Sequence, residues 1–112
     1  MGQPLLISVL AGVSLARLQH LFPGHRCVRA VPNTPALVGA GLTALAWGEG
    51  IDQGQRDQVR QLFADVGEVL ELAEAKLDAF LALTSSGPAF VALVAEAMAD
   101  GAVAAGLPRD LA

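Results

Sequence analysis

The hydrophobic pattern changes near residue 73, and this change limits the possible folds more than any other feature. Before this point, short apolar runs of strand length alternate with segments of helical periodicity. The expected order is strand, helix, strand, loop, strand, helix, strand, which is typical of an α/β layer. From Glu74 onward the pattern is helical only. We therefore predict two domains, residues 1–73 and residues 74–112.

Turn and capping residues predict where the elements begin and end. Ser14 and Asp52 are favourable N-caps, and Gly67 is the expected C′ residue of the second helix. Two prolines make residues 32–35 a loop, because proline and the residue before it resist helix. The expected strands cover residues 5–10, 27–31, 41–47 and 68–72, and the expected helices cover residues 15–21, 53–65, 75–83 and 89–105. The predicted apolar stripe of the second helix comprises Val59, Leu62, Phe63 and Val66.

Composition excludes several classes of protein. The chain has 112 residues, of which 54% are hydrophobic and 16% charged, so we expect a packed core and not disorder. The apolar fraction is high for this length, so some apolar surface is expected to meet a partner subunit or another part of the protein. A net charge of −4 without a basic block argues against nucleic-acid binding. Cys27 is the only cysteine and no metal-ligand spacing is present, so no metal site is predicted and a cytoplasmic location fits.

The apolar run of residues 88–106 is long enough to raise the question of a membrane span. Glu96 and Asp100 lie four residues apart on one helical face, and an acid at mid-bilayer costs roughly 3 kcal/mol. Alanine, which is frequent in this run, adds little hydrophobic drive. We predict a helix of a soluble protein, buried on most sides, with no membrane contact.

Residues 84–88 form a candidate anion site. Two serines, Gly87 and Pro88 describe a loop that opens a long helix, with serine as the cap and proline in the first turn. The free N–H groups at such a helix end attract phosphate or carboxylate groups.

Two strand ends form a second candidate region, because ligands of open α/β sheets bind beyond the carboxyl ends of strands. Asn33 and Thr34 follow one strand, where they either bind a ligand or satisfy backbone groups of a turn. Residues 10–12 follow another strand, where small side chains either leave room for a flat ring or only mark the end of the strand. Residues 39–44 have the spacing G-x-G-x-x-A, but no strand precedes and no helix follows, so a simple glycine turn is expected.

Other polar residues suggest no catalytic group. His20 and His25 have no matched acid, so no catalytic residue is assigned. Glu74 precedes a helix, and it either favours the helix dipole or contacts a bound ammonium or iminium group.

Together these motifs resemble those of the pyrroline-5-carboxylate reductase family. Residues 31–38 resemble its Met-Pro-Asn-Thr-Pro stretch, and residues 84–90 its Ser-Gly-Ser-Gly-Pro-Ala-Tyr signature, with Glu74 as the upstream acid. Residues 7–13 and 106–108 also fit, so the resemblance covers essentially the whole chain. The departures from the family motifs are Val31 for Met, Thr84 for Ser, Ser85 for Gly and Phe90 for Tyr. If the family glycine has φ > 0, the serine at its position would cost about 1–2 kcal/mol.

The resemblance implies the C-terminal half of a Rossmann-like NAD(P)-binding domain, followed by the start of an all-helical dimerisation domain. It implies reduction of 1-pyrroline-5-carboxylate to L-proline by NADPH or NADH, the last step of proline biosynthesis, in a homodimer or higher homo-oligomer. The cofactor-binding residues implied in this way are Ala11, Gly12, Val31, Pro32, Asn33 and Thr34. The implied substrate-binding residues are Glu74, Ser86 and Gly87.

The sequence contains neither a glycine-rich pyrophosphate loop nor the later Ser-Pro-Gly-Gly-Thr-Thr segment of the family. We therefore expect the 112 residues alone neither to bind a dinucleotide tightly nor to catalyse the reaction. Two alternatives stay open. One is a related β-hydroxyacid dehydrogenase or imine reductase with another substrate, and the other is a non-catalytic dimerisation module built on the helix at residues 89–105.

Overall fold

A computed structural model describes residues 2–112, so Met1 of the predicted first domain lies outside the described residues. Within this range four strands form one sheet in the order β1-β2-β3-β4. β1 pairs with β2 in parallel, β2 with β3 antiparallel, and β3 with β4 in parallel. The ends of β1 and β2 therefore lie at the same edge of the sheet as the beginnings of β3 and β4. We call this edge the upper edge. The strands are β1 (Leu5–Ser8), β2 (Arg26–Val31), β3 (Gly41–Trp47) and β4 (Gly67–Glu71).

Helices cover both faces of this sheet, and the predicted alternation of strands and helices is confirmed. Each predicted strand and helix lies within two residues of the observed one, and the predicted bounds of β3 and α1 match. The α-helices are α1 (Leu15–Leu21), α2 (Gln53–Ala64), α3 (Leu77–Thr84) and α4 (Gly87–Ala104), and short 3-10 helices cover Thr34–Val38 and Glu74–Lys76.

Local capping chemistry explains why two helices begin where the sequence predicts. Ser14 Oγ accepts a 3.1 Å hydrogen bond from the Arg17 N–H at the start of α1. Asp52 forms a capping box with Gln55, in which each side chain accepts a hydrogen bond from the other residue's backbone N–H. These bonds satisfy N–H groups that lack partners within the helix.

Two sequence predictions about turns were wrong. Residues 32–35 were expected to be loop throughout, but a 3-10 helix begins at Thr34 with Pro35 in its first turn, where proline lacks only an N–H that needs no partner. Gly67 was expected to be the C′ residue of α2, but α2 ends with the C-cap Asp65, and Gly67 is the first residue of β4. A Cβ atom on Gly67 would lie 2.0 Å from the Gly41 carbonyl oxygen, so close approach of the two strands requires this glycine.

The two faces of the sheet carry separate cores, because successive strand residues point to opposite sides. The face covered by α2 contains Val28 and Leu45 with Val59 of α2. The opposite face, which we call the α3 face, contains Val31 and Ala44 packed against Leu77 of α3.

The last helix, α4, projects from the rest of the chain. The chain measures 66 × 24 × 18 Å, and its radius of gyration of 18.7 Å exceeds the about 13 Å of a compact domain of this length. Within the described residues, α4 has no buried residue, so the prediction of a helix buried on most sides was wrong for this chain by itself. The helical stretch Glu74–Ala104 has the length and apolar composition that a membrane span needs. Of its most apolar stretch of 18 residues, 11% is buried. The large exposed apolar side chains of α4 are Phe90, Val91, Leu93, Val94 and Met98.

Candidate cofactor and substrate site

The predicted cofactor-binding residues come together at the upper edge of the sheet. Ala11 and Gly12 follow β1, and residues 32–34 follow β2. Since β1 and β2 are parallel neighbours, both segments lie at this edge. Gly12 has φ +73°, and a Cβ atom there would meet nothing within 4 Å. The conformation therefore favours glycine, and the space beside it is open to a flat ring.

Asn33 has a structural role in this region. Its Oδ1 accepts a 2.8 Å hydrogen bond from the Leu42 N–H, which ties the end of β2 to the start of β3. This confirms that its side chain satisfies a backbone group. The side-chain NH₂ group of Asn33 carries the two donors that the residue can offer to a ligand.

The other residues of these strand ends differ in exposure. Val31 is buried in the α3 face, so a contact from Val31 to a ligand would come from its backbone. Pro32 is half-buried and Thr34 is exposed. Gly39 ends the 3-10 helix with φ +71° and Gly41 begins β3, so the G-x-G-x-x-A spacing is a glycine turn, as expected.

The serine motif forms a tight junction between two helices. We call Ser85 and Ser86 the serine junction, because α3 ends at Thr84 and α4 begins at Gly87. Ser85 has φ −72° and ψ −50°, and Ser86 has φ −98° and ψ −21°, so both are right-handed helical. The expected strain at Ser85 is therefore absent.

The first turn of α4 keeps backbone donors available. Ser86 occupies the N-cap position, but its side chain makes no capping hydrogen bond, contrary to the prediction of a serine cap. In residues 2–112, the N–H groups of Ser86 and Ala89 donate to no backbone carbonyl. Gly87 also has no heavy atom within 4 Å of a Cβ position. A carboxylate or phosphate fits the donors of such a helix end.

Glu74 lies apart from this junction. Its Oε1 accepts a 2.6 Å hydrogen bond from the Leu15 N–H, the first residue of α1, and a 2.9 Å bond from Arg29 Nη1. The rest of the 3-10 helix, the eight residues of α3 and Ser85 separate Glu74 from Ser86, and α3 alone is about 12 Å long. The structure therefore brings Ser86 and Gly87 together, but it does not bring Glu74 to them within one chain.

Sequence reasoning missed Arg29. Its side chain is only 7% exposed, and it pairs with Glu74, whose side chain is 33% exposed. An arginine within the apolar strand run of residues 27–31 was the available signal, because buried charges need a partner.

The core of the α3 face connects the segment that carries the predicted substrate-binding residues to the strand that carries the predicted cofactor-binding residues. Leu77 of α3 packs in the same cluster as Val31, the last residue of β2. Leu81 also packs against this cluster, and the serine junction begins four residues later. The candidate anion site at the start of α4 thus follows a helix, α3, that packs on the strand leading to the upper edge.

Comparisons with known proteins agree with this arrangement. Residues 74–112 match the family described as pyrroline-5-carboxylate reductase dimerisation. The chain is 52% identical over 111 residues to a pyrroline-5-carboxylate reductase of Synechocystis sp., covering 99% of this chain and 42% of the relative. It is 43% identical over 108 residues to one of Pisum sativum, covering 96% of this chain and 40% of the relative.

Solved structures show the same likeness. A pyrroline-5-carboxylate reductase of Coxiella burnetii superposes with a TM-score of 0.88 at 35% identity, covering 96% of this chain and 40% of that one. A pyrroline carboxylate reductase of Plasmodium falciparum, solved with NADP bound, has a TM-score of 0.84 at 32% identity, covering 96% and 43%. The chain thus spans about two fifths of the length of the relatives that it matches. Over nearly all of its length, the chain is therefore similar in sequence and in fold to pyrroline-5-carboxylate reductases.

Proposed function

We propose that the protein carrying this chain reduces 1-pyrroline-5-carboxylate to L-proline with NADPH or NADH, as a step of proline biosynthesis in the cytoplasm. The observation that supports this most directly is the start of α4, where the Ser86 N–H donates to no backbone carbonyl and Gly87 leaves open space for the substrate carboxylate. The names of the relatives and the NADP in the Plasmodium falciparum structure support the same activity.

The nicotinamide end of the cofactor would lie at the upper edge, bordered by Ala11 and Gly12 on one side and residues 31–34 on the other. The open space beside Gly12 fits a flat ring there. A bound NAD(P)H supplies the hydride that reduces the C=N bond, and the protein supplies position. The hydrogen bond from the Leu42 N–H to Asn33 holds the segment after β2 in one conformation, which lowers the entropy cost of binding the cofactor.

The substrate carboxylate would bind at Ser86 and Gly87, where the Ser86 N–H is one donor and Gly87 leaves open space. A carboxylate held there would orient the substrate ring toward the upper edge. Glu74 stays a predicted contributor to substrate positioning. Its distance from Ser86 along α3 means that within one chain it would act indirectly, through the helix that it begins.

We propose that residues 74–112 begin a dimerisation domain and that the protein is a homodimer or a higher homo-oligomer. The family match begins at Glu74, which supports a domain boundary near Ala73. The exposed apolar side chains of α4 support association, because soluble monomers rarely expose a contiguous apolar surface of this extent.

The direct test is NAD(P)H oxidation by the full-length natural protein with 1-pyrroline-5-carboxylate as substrate. We expect proline formation equal to the nucleotide consumed. A panel of β-hydroxyacids and other cyclic imines tests the alternative that the protein is a related dehydrogenase or imine reductase. Higher kcat/KM on any of these than on 1-pyrroline-5-carboxylate would contradict the proposal.

The isolated 112-residue chain is expected to behave as a dimerisation module without activity. Sedimentation should show a dimer, and titration with NADPH should show no tight binding. NADPH-dependent proline formation by the isolated chain would overturn this part of the proposal.

A further inference from the structure

A part-buried ion pair joins three elements that are distant in the sequence. Arg29 lies in the middle of β2, Leu15 begins α1, and Glu74 begins the 3-10 helix that leads into α3. One carboxylate oxygen, Glu74 Oε1, accepts hydrogen bonds from both partners, at 2.9 Å from Arg29 Nη1 and 2.6 Å from the Leu15 nitrogen. Two donors that converge on one oxygen fix the position of that oxygen from two directions.

Because Arg29 is buried, compensation of its charge depends on the contact with Glu74. A guanidinium group stays charged at any pH at which proteins fold, and only 7% of the Arg29 side chain is exposed. Among the described residues, its Nε has no hydrogen-bond partner, so compensation of the charge depends on the bond at Nη1. Glu74 cannot leave without stranding a buried charge.

Glu74 begins the segment that carries the serine junction. From Glu74 the chain continues through α3, whose Leu77, Phe80 and Leu81 pack on the α3 face, to Ser85 and Ser86. A rotation of about 10° at the start of a helix about 12 Å long moves its far end by about 2 Å. A misplacement of about 1 Å can cost about 100-fold in rate at a site that works by orientation.

We propose that Arg29 is a positioning residue for the substrate. By holding Glu74, it sets the direction of α3 across the sheet and thereby the place of the serine junction relative to the upper edge. The proposal rests on the proposed function for the identity of the substrate. It assigns Arg29 no contact with the substrate or the cofactor.

The chain offers a matched control. Arg26 lies on the same strand three residues earlier, and its Nη1 binds Asp52 and Gln55 at the start of α2, on the other face of the sheet. Arg26→Met therefore removes an arginine anchor of α2 and leaves the anchor of α3 intact.

The test compares Arg29→Met, Arg29→Lys and Arg26→Met in the full-length natural protein. Hydrogen exchange followed by mass spectrometry should show at least tenfold faster exchange in α3 for Arg29→Met, with α2 unchanged, and the reverse for Arg26→Met. Steady-state kinetics should show at least a tenfold rise in KM for 1-pyrroline-5-carboxylate in Arg29→Met, and less than a threefold change in KM for NADPH. Arg29→Lys should recover most of both losses, because an ammonium can still reach Glu74.

Several results would overturn the proposal. One is exchange in α3 that matches the wild type, or that rises equally in α2. Another is an unchanged KM for the substrate with only a smaller folded fraction, which is the mark of a purely structural role. If Arg29→Met fails to fold, Glu74→Gln decides by the same measurements. A wild-type protein that does not reduce 1-pyrroline-5-carboxylate would refute the proposed function, whereas the exchange comparison would still decide whether Arg29 anchors α3.

Discussion

The Asn33 side-chain oxygen and the Leu42 N–H form a 2.8 Å hydrogen bond that spans the 3-10 helix between β2 and β3. This bond closes the segment of residues 34–41 at its base. Asn33, one of the predicted cofactor-binding residues, therefore also stabilises the fold.

Asn33→Ala should therefore lower the free energy of unfolding. The substitution leaves the part-buried Leu42 N–H without its acceptor, which costs about 1–2 kcal/mol. Urea denaturation measures the effect. Asn33→Asp, which keeps an acceptor oxygen, should lose less than half as much, and Thr34→Ala at the exposed neighbour should stay within about 0.5 kcal/mol of wild type. Equal losses for all three variants would refute this role of Asn33.

Gly67→Ala should be far more destabilising than Gly39→Ala. The Gly67 Cβ would lie 2.0 Å from the Gly41 carbonyl oxygen, and we expect a loss above about 3 kcal/mol. Gly39 has open space around it, so alanine there meets only the left-handed backbone penalty of about 1–2 kcal/mol. Thermal or urea denaturation of the two variants under identical conditions gives the comparison, and the opposite order would show that the contact with Gly41 yields easily.

Ser85→Gly should destabilise the protein slightly. Ser85 has φ −72°, so glycine relieves no strain there and loses more backbone freedom on folding, which costs about 0.5 kcal/mol. Urea denaturation is again the measurement, with Ser85→Ala as the control for loss of the hydroxyl. A more stable glycine variant would mean that the junction is strained after all.

Cys27 should make folding stability fall at alkaline pH. Burial raises the pKa of the Cys27 thiol, so the unfolded chain releases this proton at a lower pH than the folded chain does. The contribution is fully present below the unfolded pKa of about 8.5, and it is lost as pH rises above that value, by at most about 1.4 kcal/mol per pH unit. The chain has no tyrosine, and Lys76 is its only lysine, so few other groups titrate in this range.

Urea denaturation at pH 7, 8, 9 and 10 should show this decline in the wild type and a smaller one in Cys27→Ala. The alanine variant is expected to be less stable at pH 7, because the thiol is buried, so the comparison concerns the slope and not the absolute value. Identical slopes would refute the assignment to Cys27.

Val94→Glu should prevent association through α4. Val94 is 59% exposed in the chain, so a carboxylate there costs the monomer little, whereas it would be desolvated in an interface. Sedimentation velocity should show a monomer for Val94→Glu and a dimer or larger species for the wild type. Gln61→Glu, on the exposed side of α2, adds the same charge elsewhere and should leave the assembly intact.

Local chemistry made much of this fold predictable. The bounds of α1 follow from the Ser14 cap and from the turn after Phe22, and the bounds of β3 follow from flanking glycines. These signals involve residues that are close in the sequence. The Rossmann-like half and the helical half could be assigned because the pattern changes at residue 73 and because the family motifs appear in order.

Long-range contacts could not be read in the same way. The pairing of Arg29 with Glu74 spans 45 residues, and the need for Gly67 arises from a neighbouring strand and not from its own helix. Leu62 was assigned to the apolar stripe of α2, but it is 57% exposed, because Val59 and Phe63 pack against the sheet and Leu62 points away from it. Periodicity predicts which side of a helix is apolar, whereas the burial of each residue depends on the element that packs against that side.

The uncovered surface of α4 has a consequence for how the protein is made in a cell. If the proposed homodimer forms through α4, a newly synthesised chain that has folded its sheet presents Phe90, Leu93 and Met98 to solvent until a second copy binds. Pairing of two copies is second order in chain concentration, whereas removal by chaperones and proteases is first order. The amount of assembled dimer should therefore rise more steeply than the rate of synthesis, so that weak expression loses a larger share of its chains than strong expression does.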